Sequence, residues 1–311
     1  MSRQEHLAVE YSAARARLVR IAYAVLGSHA EAEDVVSETW LRLTEADARE
    51  PVRDVEGWSV VAVARRALDL LRSARVRRES YVGPWLPEPV LGPRTRPGGQ
   101  EPLSSSAAAD AADPADRVTL DESVSFALLV VLESLTPAER TAWVLHDLFA
   151  LPFPEVADAV GRSPAAVRQL AARARRHITA AAPRLDVDAV QHEAAVSAFL
   201  GAAAGRDLAG LIAVLDPDVI ATSDGGGQVS AARRPVHGAD RVARFVLGLA
   251  AKLGADQRLE VVAVNGITGF AVLEGDRPTV VASLVVHGGR IRRLDFVLAP
   301  DKLPRHLVLE D

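Results

Sequence analysis

Apolar positions recur at helical spacing through the first two-thirds of the chain and then fall into short runs between turn residues. From Leu7 to about Leu43 the pattern is helical, with Leu18, Ile21, Ala22 and Val25 on one stripe. Gly27 ends that helix and Ser28 caps the next. The second helix, AEAEDVVSETWLRL, puts Val35, Val36, Trp40 and Leu43 inward and shows Glu31, Asp34 and Glu38 outward. Thr44 to Gly57 is polar, contains Pro51, and predicts a loop. A long helix then begins at about Trp58, burying Val60, Val61, Ala64, Leu68 and Leu71; Arg65, Arg72, Arg75 and Arg78 lie on or near its other side.

A second helical stretch runs from Arg117 to about Ala182. Val124–Leu135 predicts one apolar helix, and Thr136-Pro137 caps the next. Residues 152–177, PFPEVADAVGRSPAAVRQLAARARRH, predict two helices joined at Gly161-Arg162, with Pro154 in a first turn and Ser163 capping a helix that opens on Pro164. Val167, Leu170, Ala174 and Ile178 face inward; Arg168, Gln169, Ala172, Arg173 and Arg176 face out. Two helices with a glycine turn and a basic outer face read as a helix-turn-helix, whose outward Arg and Gln reach base edges and whose flanking Arg holds phosphates.

After Asp186 the grammar changes. Two helices break at Gly205, and Val219–Thr222 is followed by the turn Asp224-Gly225-Gly226-Gly227. Gly238–Ala251 predicts a helix. Leu259–Asn265, Gly269–Glu274, Thr279–His287 and Arg290–Leu298 predict four strands. Helices followed by a meander predict an α+β domain, a curved sheet wrapped on helices around an apolar hollow.

Composition sharpens this picture. The 311 residues leave room for two or three domains; 49% hydrophobic content is ample for cores, but 5% aromatic means Ala, Val and Leu fill most of them. The net charge of -5 hides segregation: residues 31–56 are acidic and residues 65–78 are basic. An acidic ridge suits a basic partner, and a basic stripe with an aromatic at its start suits a nucleic-acid backbone plus an unstacked base. No cysteine is present, so disulfides and thiolate chemistry are excluded. No signal core and no apolar run of about 18 residues is found, which points to a soluble, cytoplasmic protein. Residues 81–114 are rich in Pro, Gly, Ser and Ala and predict a linker. Its first part, with Tyr81, Trp85, Leu86 and Val90, is apolar enough to dock on a domain surface; the part after Gly92 reads as a flexible tether.

In these features the chain resembles the extracytoplasmic-function (ECF) sigma factors of bacterial RNA polymerase, in particular the group with a SnoaL-like, NTF2-fold C-terminal extension. AEDVVSETWLRL resembles the polymerase-docking helix, the Trp58–Glu79 stretch the helix engaging the −10 element, with a flipped base held by the preceding loop, and residues 117–182 the −35-reading domain. YVGPWLPEP, DGGGQ at 224–228 and PDKL at 300–303 resemble three signature motifs of the extended group, in order. The glycine motif ends in Gln228 where the group commonly has lysine, and Ala299 stands where it commonly has asparagine.

The resemblance implies a multidomain chain: two all-α sigma domains, the second with the helix-turn-helix, plus a C-terminal α+β NTF2-like cone. Its boundaries would be 1–80 for the sigma-2 domain, 81–116 for the linker, 117–183 for the sigma-4 domain and 186–311 for the SnoaL-like domain. It implies core polymerase binding through Asp34 and Glu38. DNA contact falls to Trp58, Arg65, Arg72, Arg75 and Arg78 at −10, and to Arg168, Gln169, Arg173 and Arg176 at −35. Regulation in cis falls to Trp85, Leu86, Pro87, Glu88 and Pro89 of the linker, to Asp224, Gly225, Gly226, Gly227 and Gln228, and to Asp301, Lys302 and Leu303. Polymerase does the chemistry; no catalytic residue, metal or cofactor is expected, nor a dedicated anti-sigma protein, and the hollow suits a small apolar ligand. Two alternatives stay open: a one-component regulator with a ligand-binding domain, and an isomerase-type enzyme drawing on Asp218, Asp224, His237 or Asp295.

Overall fold

Ser2 accepts the Glu5 amide while the Glu5 carboxylate accepts the Ser2 amide, a capping box that starts helix α1 (Arg3–Leu26). Gly27, at φ 75°, ends it, and Ser28 caps α2 (His29–Arg49). The expected loop over Thr44–Gly57 is shorter than the sequence pattern implies. Glu45, Ala46, Ala48 and Arg49 are good helix formers and α2 runs on through them; the break comes only at Glu50 and Pro51. Helix α3 (Val55–Glu79) accordingly starts three residues before Trp58.

In the computed structural model the described residues are 2–79, 81, 83–92, 124–181 and 189–307. The expected tether after Gly92 and the expected helical start at Arg117 lie outside them. Next in order are the short strand β1 (Leu91–Gly92) and helix α4 (Phe126–Leu132), shorter at both ends than the helix expected over Val124–Leu135. Thr136 then closes a capping box with Glu139 at the start of α5 (Pro137–Trp143), which passes into a single π turn, Val144–Leu148. Helices α6 (Phe153–Val160) and α7 (Pro164–Ala181) follow, separated by Gly161 at φ 71°.

The contacts divide the chain into two compact units. The first holds Met1–Glu79 and Val131–Ala181. In it α1, α2 and α3 pack side by side, and α3 also packs on α5 and α6. Leu18, Ile21, Val25, Val36, Leu43 and Leu68 lie within 1% of full burial.

The second unit holds residues 81–92, Ser125–Val130 and the described residues from 189 on. Helices α8 (Ala189–Ala204), α9 (Leu208–Val214) and α10 (Ala239–Ala250) accompany strands β2 (Leu215–Asp224), β3 (Val236–His237), β4 (Gln257–Val264), β5 (Ile267–Glu274), β6 (Arg277–His287) and β7 (Arg290–Val297). The sheet order is β1-β4-β5-β6-β7-β2-β3, with every neighbour antiparallel except the parallel pair β2–β7. Period-2 alternation gives the sheet two buried faces. Phe270, Ala282, Leu284, Leu294 and Phe296 pack with Phe199 of α8 and Val242 and Val246 of α10. Val262, Val264, Ala271, Val281 and Val297 pack on the other side with Leu86 and Phe126.

Candidate functional site

Asp224, the last residue of β2, is completely buried and is the hub of the second unit's second face. Its Oδ1 accepts the Tyr81 hydroxyl at 2.5 Å and the Gly226 amide at 2.9 Å. Its Oδ2 accepts the Leu86 amide and the Lys302 ammonium, both at 2.7 Å. Its backbone carbonyl takes the amides of Leu298 and Ala299 at 2.8 and 3.0 Å. A buried carboxylate is costly unless saturated by donors, and this one is. Lys302 closes the loop: its Nζ also donates to the Leu86 carbonyl at 2.6 Å, lies 4.0 Å from the Trp85 ring centroid and 5.2 Å from that of Tyr81.

The WLPEP, DGGGQ and PDKL segments, far apart in sequence, thus meet in one clasp. Leu86, Pro87 and Pro89 are buried, Trp85 and Glu88 half-buried, and Leu303 packs against the same apolar cluster as Leu86. Beyond them the linker joins the sheet: Leu91 and Gly92 pair with Val264 and Ala263, and Val90 exchanges hydrogen bonds with Asn265 through its amide (3.1 Å) and carbonyl (2.8 Å). Burial, then the bond to Asp224, hold the Tyr81 phenol far above its ordinary range, so it remains a donor.

The glycine turn is a packing device. A Cβ on Gly225 would overlap the Val229 carbonyl oxygen, and Gly226, at φ 67°, lies against Ala299 and Asp301. The Gly226, Gln228 and Val229 amides are all used within the turn. Gly225 is buried and Gly226 half-buried, while Gly227, Gln228 and Val229 are exposed. The side chain of Asp301 is exposed too, while that of Lys302 points inward.

In the first unit, Asp34 is exposed, whereas Glu38 accepts Arg66 at 2.8 Å and Arg42 at 2.6 Å. The Arg66 bond is the main reason the Glu38 carboxyl is held below the usual range. Trp58 is half-buried at the start of α3; Arg65 is exposed but donates to the Asp158 carbonyl of α6 at 2.8 Å; Arg72 meets Asp69 at 3.1 Å. Arg75 and Arg78 are on α3, their side chains outside those described. On α7 the inward set Val167, Leu170, Ala174 and Ile178 is buried, and Arg168, Gln169, Arg173 and Arg176 are exposed. Arg168 lies 5.2 Å over the Phe153 ring, and Arg173 is 3.3 Å from Glu139.

The would-be catalytic residues do not converge. Asp218 and His237 are exposed, while Asp224 and Asp295 lie on the sheet face away from α8 and α10. On the helix side the interior is filled by Phe199, Phe245, Phe270 and Phe296, with ring centroids 6.1–6.3 Å apart. An apolar pocket of about 680 Å³ lies between α8, the end of α10 and β4, lined by Val196, Leu200, Leu253, Leu259 and Val261. Among the described residues, no group of three or more acidic or histidine side chains is placed to hold a metal, and no helix is long and apolar enough to cross a membrane.

Three participants were not singled out in the sequence. Tyr81 was legible only as an apolar docking residue, not as a donor. Asn265 precedes Gly266, and both have positive φ (49° and 76°); an Asn-Gly pair between strands signals this hairpin turn. Arg140 is 1% exposed: its Nε donates to the Ala24 carbonyl at 3.0 Å in the last turn of α1, and its guanidinium also meets Glu133. No apolar pattern foretells a buried arginine.

Comparison with known proteins agrees with the geometry. Residues 11–77 match the model for sigma-70 region 2 and residues 125–178 that for sigma-70, region 4. The chain is 39% identical over 306 residues to the ECF RNA polymerase sigma factor SigJ of Mycobacterium tuberculosis H37Rv, covering 94% of this chain and 92% of that one. It is 37% identical to the probable ECF RNA polymerase sigma factor SigI of M. tuberculosis CDC 1551, covering 79% and 78%. The crystal structure of M. tuberculosis SigJ superposes with a TM-score of 0.71 at 35% identity, covering 95% of this chain and 97% of that one. With two sigma-region folds, a helix-turn-helix and a full-length relative at this identity, the chain belongs to the ECF RNA polymerase sigma factors and directs promoter-specific initiation.

Proposed function

We propose that this sigma factor is regulated in cis: its C-terminal unit sets promoter use by holding the linker that joins the two DNA-reading halves. The observation that carries this reading is the Asp224 clasp. Residues 81–92 leave α3 and, instead of remaining free, fold into the second unit. The linker length available to the promoter-reading helices then depends on whether the clasp is shut.

The first unit supports a resting state. Arg65 of the −10 helix is bonded to the backbone of α6, and Arg140 ties α5 to the end of α1. The −10 and −35 elements lie more than two turns of duplex apart, about 70 Å, which two domains in direct contact cannot span. Polymerase binding would draw the halves apart by its higher affinity for the extended form. Asp34 is the freer carboxylate for docking, since Glu38 already serves Arg66 and Arg42. Arg72, with Trp58, Arg65, Arg75 and Arg78, would serve the −10 element, and Arg168, Gln169, Arg173 and Arg176 the −35 element. In this reading the protein works in the cytoplasm as a non-catalytic subunit, and the extension does the work of a separate anti-sigma protein.

In vitro transcription with core polymerase across a promoter library tests this, comparing wild type with Asp224→Ala. Altered output, accompanied by protease cleavage within residues 81–92, is the expected result. Unchanged output from a chain whose linker has demonstrably become cleavable would end the regulatory reading.

A further inference from the structure

The chain carries 36 basic side chains, of which only Lys252 and Lys302 are lysines. Lys252 is exposed; Lys302 is buried. The surroundings of Lys302 suit a compact ammonium. Around Nζ stand one fully buried carboxylate oxygen, one carbonyl oxygen and the faces of Trp85 and Tyr81. A planar guanidinium, with five donors spread in a fork, does not match acceptors and rings converging on one point. Carboxylate, carbonyl and aromatic faces together are the chemistry by which proteins hold alkylammonium groups.

The walls of this cage belong to other segments than its occupant. Tyr81, Trp85 and Leu86 come from the linker and Asp224 from β2, while Lys302 arrives on the short segment after β7. Three other donors, from Tyr81, Leu86 and Gly226, hold the Asp224 carboxylate without help from Lys302. The carboxylate of the cage is therefore held in place independently of its occupant.

We infer that Tyr81, Trp85, the Leu86 carbonyl and Asp224 form a binding site for primary alkylammonium groups, with Lys302 as a ligand carried by the chain itself. A free alkylamine takes the site only when the Lys302 segment undocks, because the tethered ammonium has the higher effective concentration. An amine so bound keeps the linker on the sheet while the segment from Pro300 onward is free. The inference stands on the geometry of the cage and is independent of whether the clasp governs transcription.

The test is chemical rescue of the full-length Lys302→Ala protein with n-propylammonium, which replaces the atoms removed beyond Cβ. Thermal unfolding is followed against propylammonium chloride, with sodium chloride and guanidinium chloride at equal ionic strength as controls. A saturable rise is expected, about 3 °C at ten times the dissociation constant, in Lys302→Ala and neither in wild type nor in the Lys302→Ala/Asp224→Asn double variant. Should Lys302→Ala not fold alone, it is refolded with propylammonium or with propanol, and recovery with the amine only is the supporting result. No saturable response, an equal response to the control salts, or equal refolding yields with amine and alcohol would overturn the site.

Discussion

Each unit of this protein has a buried cation that reaches a carboxylate and a backbone carbonyl distant in sequence from that cation, at separations of 116 residues in the first unit and 216 in the second. In the first, Arg140 joins the Ala24 carbonyl and Glu133; in the second, Lys302 joins the Leu86 carbonyl and Asp224. The two ties differ in completeness. Arg140 Nη2 is buried without a hydrogen-bond partner among the described residues, and the Glu133 side chain is 20% exposed. Asp224 is fully buried and takes four donors, and its Lys302 partner has two acceptors and two ring faces. A saturated network resists opening, whereas an orphaned guanidinium nitrogen costs free energy that opening recovers. In the proposed regulatory cycle this contrast predicts that the sigma halves part before the clasp opens.

Breaking the complete tie has the largest expected effect. Asp224→Ala strands the Lys302 ammonium and three further donors, a loss of about 3–5 kcal/mol in the second unit, measurable by urea denaturation. A loss below about 1 kcal/mol would show that the clasp is not the tie described here. Breaking the incomplete tie is milder. Arg140→Met replaces it with apolar volume and takes one donor from the Ala24 carbonyl and from the partly exposed Glu133, so about 1–3 kcal/mol is expected. Spin labels at exposed Ser73 on α3 and Ala172 on α7 should read a longer and broader distance distribution; an unchanged distribution would show that other contacts hold the halves.

On the reading helix the effects concern DNA instead of folding. Arg168→Ala is expected to cost about 1–3 kcal/mol at one −35 position, after release of its stacking on Phe153. Arg176→Ala should weaken binding evenly across sequences and reduce the salt slope. Footprints at varied salt separate the two, and identical behaviour would erase the division between base and phosphate contacts.

The smallest effect is a pH dependence confined to the second unit. Burial holds the His192 imidazole below its ordinary value, and its Nε2 pairs with the Thr268 carbonyl at 2.8 Å. The unfolded chain therefore takes up the proton first. Stability is full above about pH 6.5 and falls as pH drops from there toward the depressed folded value. Thermal unfolding of His192→Gln should show less of this loss between pH 7 and pH 5; an equal loss in both proteins would place the dependence elsewhere.

Much of the architecture was legible because its signals are local. The cap at Ser28, the stop at Gly27, the Thr136 capping box and the Ser163-Pro164 start depend on residues within one helical turn of each other. The inward stripe of α7 depends only on helical geometry. The α2–α3 loop was overextended because a polar run was taken as a break, although Glu45–Arg49 favours helix. How the glycine turn packs was not legible, because packing is a property of neighbours, here Ala299 and Asp301, about 75 residues downstream.

By itself, the sequence determined most of the helices and strands and which of their faces turn inward, a matter of periodicity, capping and residue type settled by interactions a few residues long; the two sigma regions and the three short motifs entered through resemblance to a known family. Only the tertiary structure decided that Asp224, Tyr81, Leu86 and Lys302 are one site, that β2 closes on β7 in parallel, and that Arg140 is buried on the end of α1. Those outcomes depend on contacts spanning between 73 and 216 residues, whose partners are chosen by the folding of everything between them.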